Sequence, residues 1–205
     1  WNAEYSRTPS RHVRGQAEAF IAAGADIIFG HHPHVLNPVE WVETQDKDGG
    51  TRRGIVYWSL GNFISNQRDQ YKDAGAVAYV TVEKNRATGQ ITITDTAYLP
   101  TWVYRGGSSG NRYHILPVGQ AIDDPDAITI ELTSGNLRYM QKVWEQTTGH
   151  LGSEAAAPLR TAPEKTTEDV ALVPHADYAR AGAPVPGGDG AVTPAPEQTP
   201  ATEET

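Results

Sequence analysis

The sequence has 205 residues, a formal net charge of −8 and no cysteine. This length suits one domain of moderate core, or a domain with a tail, and the lack of cysteine excludes disulfide bonds and thiolate metal sites. Nine acidic and three basic residues lie in residues 152–205, a balance of −6, so residues 1–151 carry about −2. A nearly neutral body without a basic stripe argues against nucleic acid as a partner.

A helix and a short strand are predicted near the start of the chain. Thr8-Pro9-Ser10 offers an N-cap hydroxyl with proline at or near the first helical position. Apolar residues then recur at helical spacing and Gly24 can end the pattern, which predicts a helix over residues 9–23. In residues 26–29 an aspartate is followed by three apolar residues, which favours a short strand in a sheet covered on both faces.

Two β-hairpins are predicted in the middle of the chain. Residues 39–43 and 54–60 read as strands joined by a polar turn at 46–50. Residues 76–83 and 90–99 form the second pair around a turn at 85–89, and the last strand can extend to residue 104. The expected architecture is therefore of the α/β type.

The remaining elements are a short strand over 113–118 and a helix beginning near Ser134 and ending at about Gly149. Asp123, Asp124 and Asp126 lack the spacing of an EF-hand and predict a turn. Eight of the 14 prolines lie in residues 152–205, with few large apolar side chains to offset the entropy of ordering. The sequence thus predicts a domain over 1–151 and a disordered tail over 152–205.

The stretch Gly30-His31-His32-Pro33-His34 follows the first predicted strand. Neutral imidazole is the commonest metal ligand, and in an extended segment two histidines spaced by one residue face the same way. Pro33 favours extended backbone at His32, and Gly30 permits close backbone approach. The pattern indicates metal ligands in a loop at the end of a strand. A chance surface pair or a hydrogen-bonded loop is the alternative, and one loop cannot complete a metal site.

Two further residues have more than one interpretation. Asn62 follows the predicted strand 54–60, and it either orients the histidine loop by a hydrogen bond or accommodates a left-handed turn. Glu4 is an acid, a base or a partner of the site, or it is an ordinary solvated carboxylate.

Several motifs together resemble the CapA family of poly-gamma-glutamate capsule-synthesis proteins. They are Gly24-Ala25-Asp26, then Gly30-His31-His32-Pro33-His34-Val35, then Tyr57-Trp58-Ser59-Leu60-Gly61-Asn62-Phe63. Residues 1–5, 65–68 and 99–102 add to the match, which covers roughly residues 1–118.

The resemblance implies part of a calcineurin-like metallophosphatase domain, a four-layer sandwich of two β-sheets flanked by helices. It implies His32 and His34 as ligands of a divalent metal (Mn, Fe, Zn or Ca), with His31 as an alternative ligand or a catalytic neighbour. Glu4 is the other catalytic candidate, and the residues expected to support the site are Gly30, Ser59, Gly61 and Asn62. The family's carboxylates and Asn-His element are not in this sequence, so the chain is expected to bind metal weakly and to be inactive alone.

The resemblance is compatible with recruitment to another process of the cell envelope and with two more specific functions. The first is a metal-dependent hydrolase or transferase of the cell envelope, active in the intact protein. The second is a non-catalytic component that assembles or exports the capsule polymer. Expected partners are the missing N-terminal half of the same domain, the polymer and its synthase complex. The first residue is tryptophan, so the sequence reads as a fragment, and an extracytoplasmic, anchored or secreted location rests on the resemblance alone.

Overall fold

A computed structural model describes residues 1–106 and 112–164 of the chain. These residues form two β-sheets with helices packed against them, which confirms the predicted α/β class. In the first sheet the strand order is β1 (Ile27–Phe29), β3 (Thr51–Leu60), β2 (Leu36–Gln45). In the second it is β4 (Ala74–Lys84), β5 (Ile91–Arg105), β6 (Tyr113–Pro117), with a short β7 (Ala157–Pro158) added to β5. Most of the predicted tail lies outside the described residues.

Helix α1 spans Arg11–Ala22 and is capped by Ser10, whose hydroxyl accepts a hydrogen bond from the Val13 amide at 3.3 Å. It therefore begins two residues later than predicted, because Ser10 rather than Thr8 caps it. Its buried face consists of Val13, Ala17 and Ile21. Gly24, at φ 119°, takes a backbone angle that side chains disfavour and ends the helix ahead of β1.

Strand β1 (Ile27–Phe29) pairs in parallel with β3 (Thr51–Leu60), which in turn pairs antiparallel with β2 (Leu36–Gln45). The hairpin of β2 and β3 confirms the prediction. The expectation that the first strand is covered on both faces is wrong for the described residues, because β1 lies at a sheet edge and Phe29 is 49% exposed.

Strands β4 (Ala74–Lys84) and β5 (Ile91–Arg105) form the second predicted hairpin, and β6 (Tyr113–Pro117) pairs with the end of β5. The two sheets meet at Tyr57, whose hydroxyl lies 3.0 Å from the Ala97 carbonyl oxygen and 3.3 Å from that of Tyr79. Burial raises the pKa of Tyr57 to about 12, so it stays a hydroxyl and keeps this connection at neutral pH.

Two helices follow the sheets. The pattern did not predict α2 (Val118–Asp123), which with a short 3₁₀ turn at Pro125–Ala127 occupies the aspartate-rich segment. Helix α3 (Ser134–Leu151) starts where predicted, and a capping box of Thr133 and Asn136 fixes that start. No helix among the described residues is long and apolar enough to cross a membrane.

The predicted tail boundary at Gly152 needs correction for residues 152–164. Strand β7 (Ala157–Pro158) pairs with β5, Ala156 is buried, and the Thr96 hydroxyl donates to the Ala155 carbonyl at 2.6 Å. Backbone pairing with β5 and the small buried side chain of Ala156 hold this segment, and composition alone reveals neither. The prediction for residues 165–205 lies outside the described part of the chain.

Candidate functional site

The histidine loop leaves the first sheet at Gly30. The Gly30 amide donates to the Tyr57 carbonyl at 2.7 Å and its carbonyl accepts from the Leu60 amide at 3.3 Å, so this residue continues the pairing of β1 with β3. A Cβ at Gly30 would lie 2.3 Å from the Trp58 carbonyl oxygen and 2.4 Å from Trp1 Nε1. Glycine is therefore required by close packing, as its place before the loop predicted.

The loop is bent, and this corrects the prediction of an extended segment. His32 and His34 both have positive φ angles, 100° and 60°. Their rings nevertheless lie near each other, with centroids 6.2 Å apart. The two imidazole rings are therefore close together, as predicted. The bend of the loop brings them together, and not the alternation of side chains along an extended strand.

Strained backbone is concentrated around this loop. Four described non-glycine residues have positive φ, and besides the two histidines they are Tyr5 at 60° and Tyr71 at 73°. The Tyr5 amide donates to the Pro33 carbonyl at 2.7 Å, and its ring centroid lies 6.2 Å from that of His34. Such conformations cost about 1–3 kcal/mol each and persist where surrounding contacts enforce them, commonly at functional sites.

Asn62 determines which nitrogen of His34 carries the proton. Its Nδ2 donates to the Lys72 carbonyl at 2.8 Å and to Gln67 Oε1 at 3.0 Å, so its Oδ1 is the atom facing His34 Nδ1 at 2.9 Å. Because Oδ1 can only accept, Nδ1 must donate. A neutral His34 therefore has its lone pair on Nε2, the arrangement in which histidine binds a metal.

Asn62 is held in place by the junction of the two sheets. Asn62 is 8% exposed, and its backbone N–H donates to the Ala74 carbonyl at 3.3 Å. Gly61, at φ 67°, pairs with Gly75, and the Gly61 amide donates to Ser59 Oγ at 3.3 Å. The structure shows the first of the two interpretations of Asn62, the hydrogen bond to the histidine loop. The second, a left-handed turn, does not apply, because the φ angle of Asn62 is not positive.

Glu4 faces the open nitrogen of His34. Its Oε1 lies 3.8 Å from His34 Nε2, which is too long for a hydrogen bond. The Lys72 ammonium lies 3.9 Å from the centre of the Tyr5 ring and 2.9 Å from Asp69 Oδ2. The hydrogen bond with Asp69 raises the pKa of Lys72, so the ammonium group at this end of the site is held in an ion pair with Asp69.

The predicted site residues do not all converge. Glu4, His34 and Asn62 come together, with His32 beside them, whereas His31 lines an apolar groove with Phe29 and Phe63. Three further residues of the site, Tyr5, Gln67 and Lys72, are not predicted by the sequence pattern. Gln67 Nε2 donates to the Tyr5 hydroxyl at 3.0 Å and so ties the N-terminal segment to Asn62. Only tertiary packing brings these residues together, and no spacing signals them.

The sequence pattern also does not predict a role for His150. Its Nε2 lies 3.0 Å from the Arg7 carbonyl oxygen and 3.1 Å from that of Leu36, and because both partners accept, Nε2 carries the hydrogen. Burial lowers the pKa of His150, and the charge of Arg7 adds to the effect. Helix α3 thereby fastens both the N-terminal segment and the first residue of β2, which flank the histidine loop.

The donor chemistry of the site fits a divalent metal only in part. His34 offers a correctly oriented nitrogen, and Glu4 offers a hard oxygen opposite it. In residues 1–106 and 112–164, however, no group of three or more His, Asp or Glu side chains converges as a metal site would require. These residues could hold an ion only together with ligands from outside the described part.

Residues 1–67 match the family described as bacterial capsule synthesis protein PGA_cap. A segment of 95 residues, 46% of the chain, is 39% identical to the PGA biosynthesis protein CapA of Bacillus subtilis (strain 168) and covers 22% of that protein. A segment of 80 residues, 38% of the chain, is 40% identical to the capsule biosynthesis protein CapA of Bacillus anthracis and covers 17% of it.

The matched segments thus span about a fifth of the length of these curated relatives. The family match includes the whole histidine loop, Asn62 and Gln67, and ends before Arg68. No solved structure matches the chain.

Proposed function

We propose, from the match of residues 1–67 to the bacterial capsule synthesis protein family, that the chain provides one side of a metal-dependent site in poly-gamma-glutamate capsule synthesis. The observation that carries the proposal is the orientation of His34. Asn62 holds its Nδ1, its Nε2 faces Glu4, and the loop around it is strained. A merely structural histidine would not need its second nitrogen left open towards a carboxylate.

The chemistry proposed is hydrolysis or group transfer at a phosphoester or similar bond. A divalent ion, when bound, would supply charge stabilisation and an activated water. The chain's own residues have distinct tasks in this proposal. His34 and His32 are ligands, and Glu4 is a ligand or a proton acceptor.

The site needs a partner to be complete. Among the described residues, no three His, Asp or Glu side chains are arranged so that they could hold an ion by themselves, and the relatives are about five times longer than the matched segments. We propose that the other ligands come from another part of a longer family protein, whose surface would cover the apolar groove beside β1. Phe29 and Phe63, 49% and 57% exposed, support this proposal. A location in the cell envelope follows from the role in capsule synthesis.

Metal binding is tested directly by titrating the chain with Mn²⁺ and following the broadening of histidine side-chain resonances by NMR. Selective broadening of His34 and His32 at millimolar metal, lost in His34→Ala, is the expected result. His12 on α1, which is exposed, serves as the matched control, and His12→Ala should change nothing. Equal broadening of all histidines would contradict the proposal.

A non-catalytic role in assembly or export of the polymer is the second candidate. The incomplete donor set is the observation that favours it. Capsule polymer should be measured in a capsule-forming strain whose protein carries both His32→Ala and His34→Ala. Loss of polymer with normal protein abundance supports the metal-dependent function, and unchanged polymer supports the assembly role.

A further inference from the structure

We propose that a second site on this chain, here called the arginine groove, binds the carboxylates of the polymer itself. The groove encloses about 350 Å³. It lies between the end of β5, the start of α3 and the loop that follows β3, and its principal lining residues are Arg68, Trp102, Tyr104, Arg105, Asn136 and Tyr139. The choice of polymer rests on the proposed function, whereas the choice of an anion rests on the groove alone.

The walls of the groove are aromatic and fixed. The rings of Tyr104 and Tyr139 lie 5.5 Å and 5.4 Å from that of Trp102. Asp73, which is 4% exposed, accepts from Trp102 Nε1 at 2.9 Å and from the Tyr139 hydroxyl at 3.1 Å. Burial raises the pKa of Tyr139 to about 12, so it remains a donor to Asp73. The acceptor capacity of the groove is therefore engaged internally, and its walls are pre-formed.

The groups left open to a ligand are donors. Arg68 donates to two backbone carbonyls, those of Val103 at 2.6 Å and Ser65 at 2.5 Å, and its Nε is buried without a partner among the described residues, so Arg68 contributes its positive charge to the groove rather than an open Nε donor. Among the described residues, Arg105 donates to Asn66 Oδ1 at 3.3 Å. The recorded ion pairs within residues 1–106 and 112–164 involve neither arginine.

Asn136 adds a neutral donor. Its Oδ1 accepts from the Thr133 amide at 2.9 Å and from the Thr133 hydroxyl at 2.7 Å, which leaves Nδ2 to donate into the groove. Two guanidinium groups against one saturated carboxylate give the groove a net charge of +1 in a chain of net charge −8. Charge complementarity thus favours an acceptor-rich anion.

A γ-linked glutamate oligomer matches both features of the groove. Each of its residues carries a free carboxylate, which an arginine can bind by paired hydrogen bonds. Its methylene groups can lie on the aromatic rings, and its amide carbonyls can accept from Asn136. The loop containing Arg68 also contains Gln67, which contacts Asn62 of the histidine site. Arg68 of the groove is thus one residue along the chain from Gln67, which holds Asn62.

Binding of a short γ-linked glutamate oligomer to the described chain, measured by NMR titration at low salt, tests the proposal. Shifts confined to the groove are expected, and Arg105→Gln should weaken the affinity about tenfold or more, as expected for a charge-assisted pair. Asn136→Asp keeps the oxygen that accepts from Thr133 but replaces the donor by an anion, so the fold is preserved while binding falls. Arg53→Gln is the matched control, because Arg53 also lies over an aromatic ring, that of Trp41 at 4.3 Å.

No binding at millimolar oligomer, or affinity unchanged in both groove variants, would overturn the assignment. Inorganic phosphate competing at equal concentration would also overturn it, because the groove would then be a phosphate site. Failure of the metal proposal is distinguishable, since His32→Ala and His34→Ala remove metal binding but should leave the affinity for the oligomer unchanged.

Discussion

At the scale of single residues, the site depends on one amide. Asn62 accepts from His34, donates to Gln67 and Lys72, and is almost fully buried. The proton of neutral histidine in water is found mostly on the other nitrogen, so the neighbour must enforce the tautomer seen here. Function would then follow from a buried hydrogen bond rather than from the histidine alone.

Replacing Asn62 by alanine should release this control. We expect neutral His34 to shift from the Nδ1–H tautomer to a mixture, which ¹⁵N chemical shifts of the imidazole ring report. The free energy of unfolding should fall by about 1–3 kcal/mol, because buried partners lose their hydrogen bonds. Gln141→Ala, at an exposed amide of α3, should alter neither quantity. An unchanged tautomer in Asn62→Ala would show that Asn62 does not set it.

Gly30 provides a second prediction at this scale. A Cβ there would lie 2.3 Å from a backbone oxygen, so Gly30→Ala should destabilise the chain by about 1–3 kcal/mol. Gly15, in the middle of α1, has nothing within 4 Å of a Cβ, so Gly15→Ala should stabilise it by about 0.5–1 kcal/mol. Urea unfolding gives the change in the free energy of unfolding for each variant. Changes of the same sign in Gly30→Ala and Gly15→Ala would contradict the packing argument.

At the scale of elements, α3 fastens segments that are distant in sequence. His150 donates to carbonyls of Arg7 and Leu36, one on each side of the histidine loop. The helix lies beyond the 67 residues of the family match. The position of a family motif is thus secured by an element outside that motif.

This connection should depend on pH. The pKa of His150 in the folded chain lies below the ordinary value of 6.5, so the unfolded chain takes up a proton first as the pH falls. The stabilisation is complete above about pH 6.5 and decreases as the pH falls towards the folded pKa. Urea unfolding between pH 5 and 7.5 should show this slope, and His150→Gln should reduce it. His12→Gln should leave it intact, and equal slopes in all three chains would refute the assignment.

At the scale of the whole molecule, the described chain leaves apolar surface open beside the histidine loop. Phe63 and Ile64 are 57% and 61% exposed, next to a groove lined by Phe29 and Leu60. Isolated exposed apolar side chains are common, whereas a contiguous group marks a contact surface. This surface is where we propose that another part of a longer family protein packs.

The apolar surface can be measured with the dye ANS. The double substitution Phe63→Ser with Ile64→Ser should lower ANS fluorescence of the folded chain by about half, since the largest exposed group is removed. Phe20→Ser, at a residue 52% exposed on α1, should have little effect. Equal losses in the two proteins would argue against a distinct contact surface.

The sequence by itself determined the local elements and which side chains are chemically able to act as ligands. Periodicity located α1 and both hairpins, because burial of one face imposes a regular spacing on neighbouring residues. Gly30 and the three histidines were identified because their chemistry belongs to the residue type. Helix α2 and β7 were missed, since small residues carry a weak hydrophobic pattern.

Only the tertiary structure decided how the site is arranged. The bend of the loop, the hydrogen bond that fixes His34 and the approach of Tyr5, Gln67 and Lys72 all depend on contacts between segments far apart in the chain. The same is true of the arginine groove, which combines residues from a loop, a strand and a helix. A sequence pattern reports which groups are available, and the packing of the two sheets sets which of them meet.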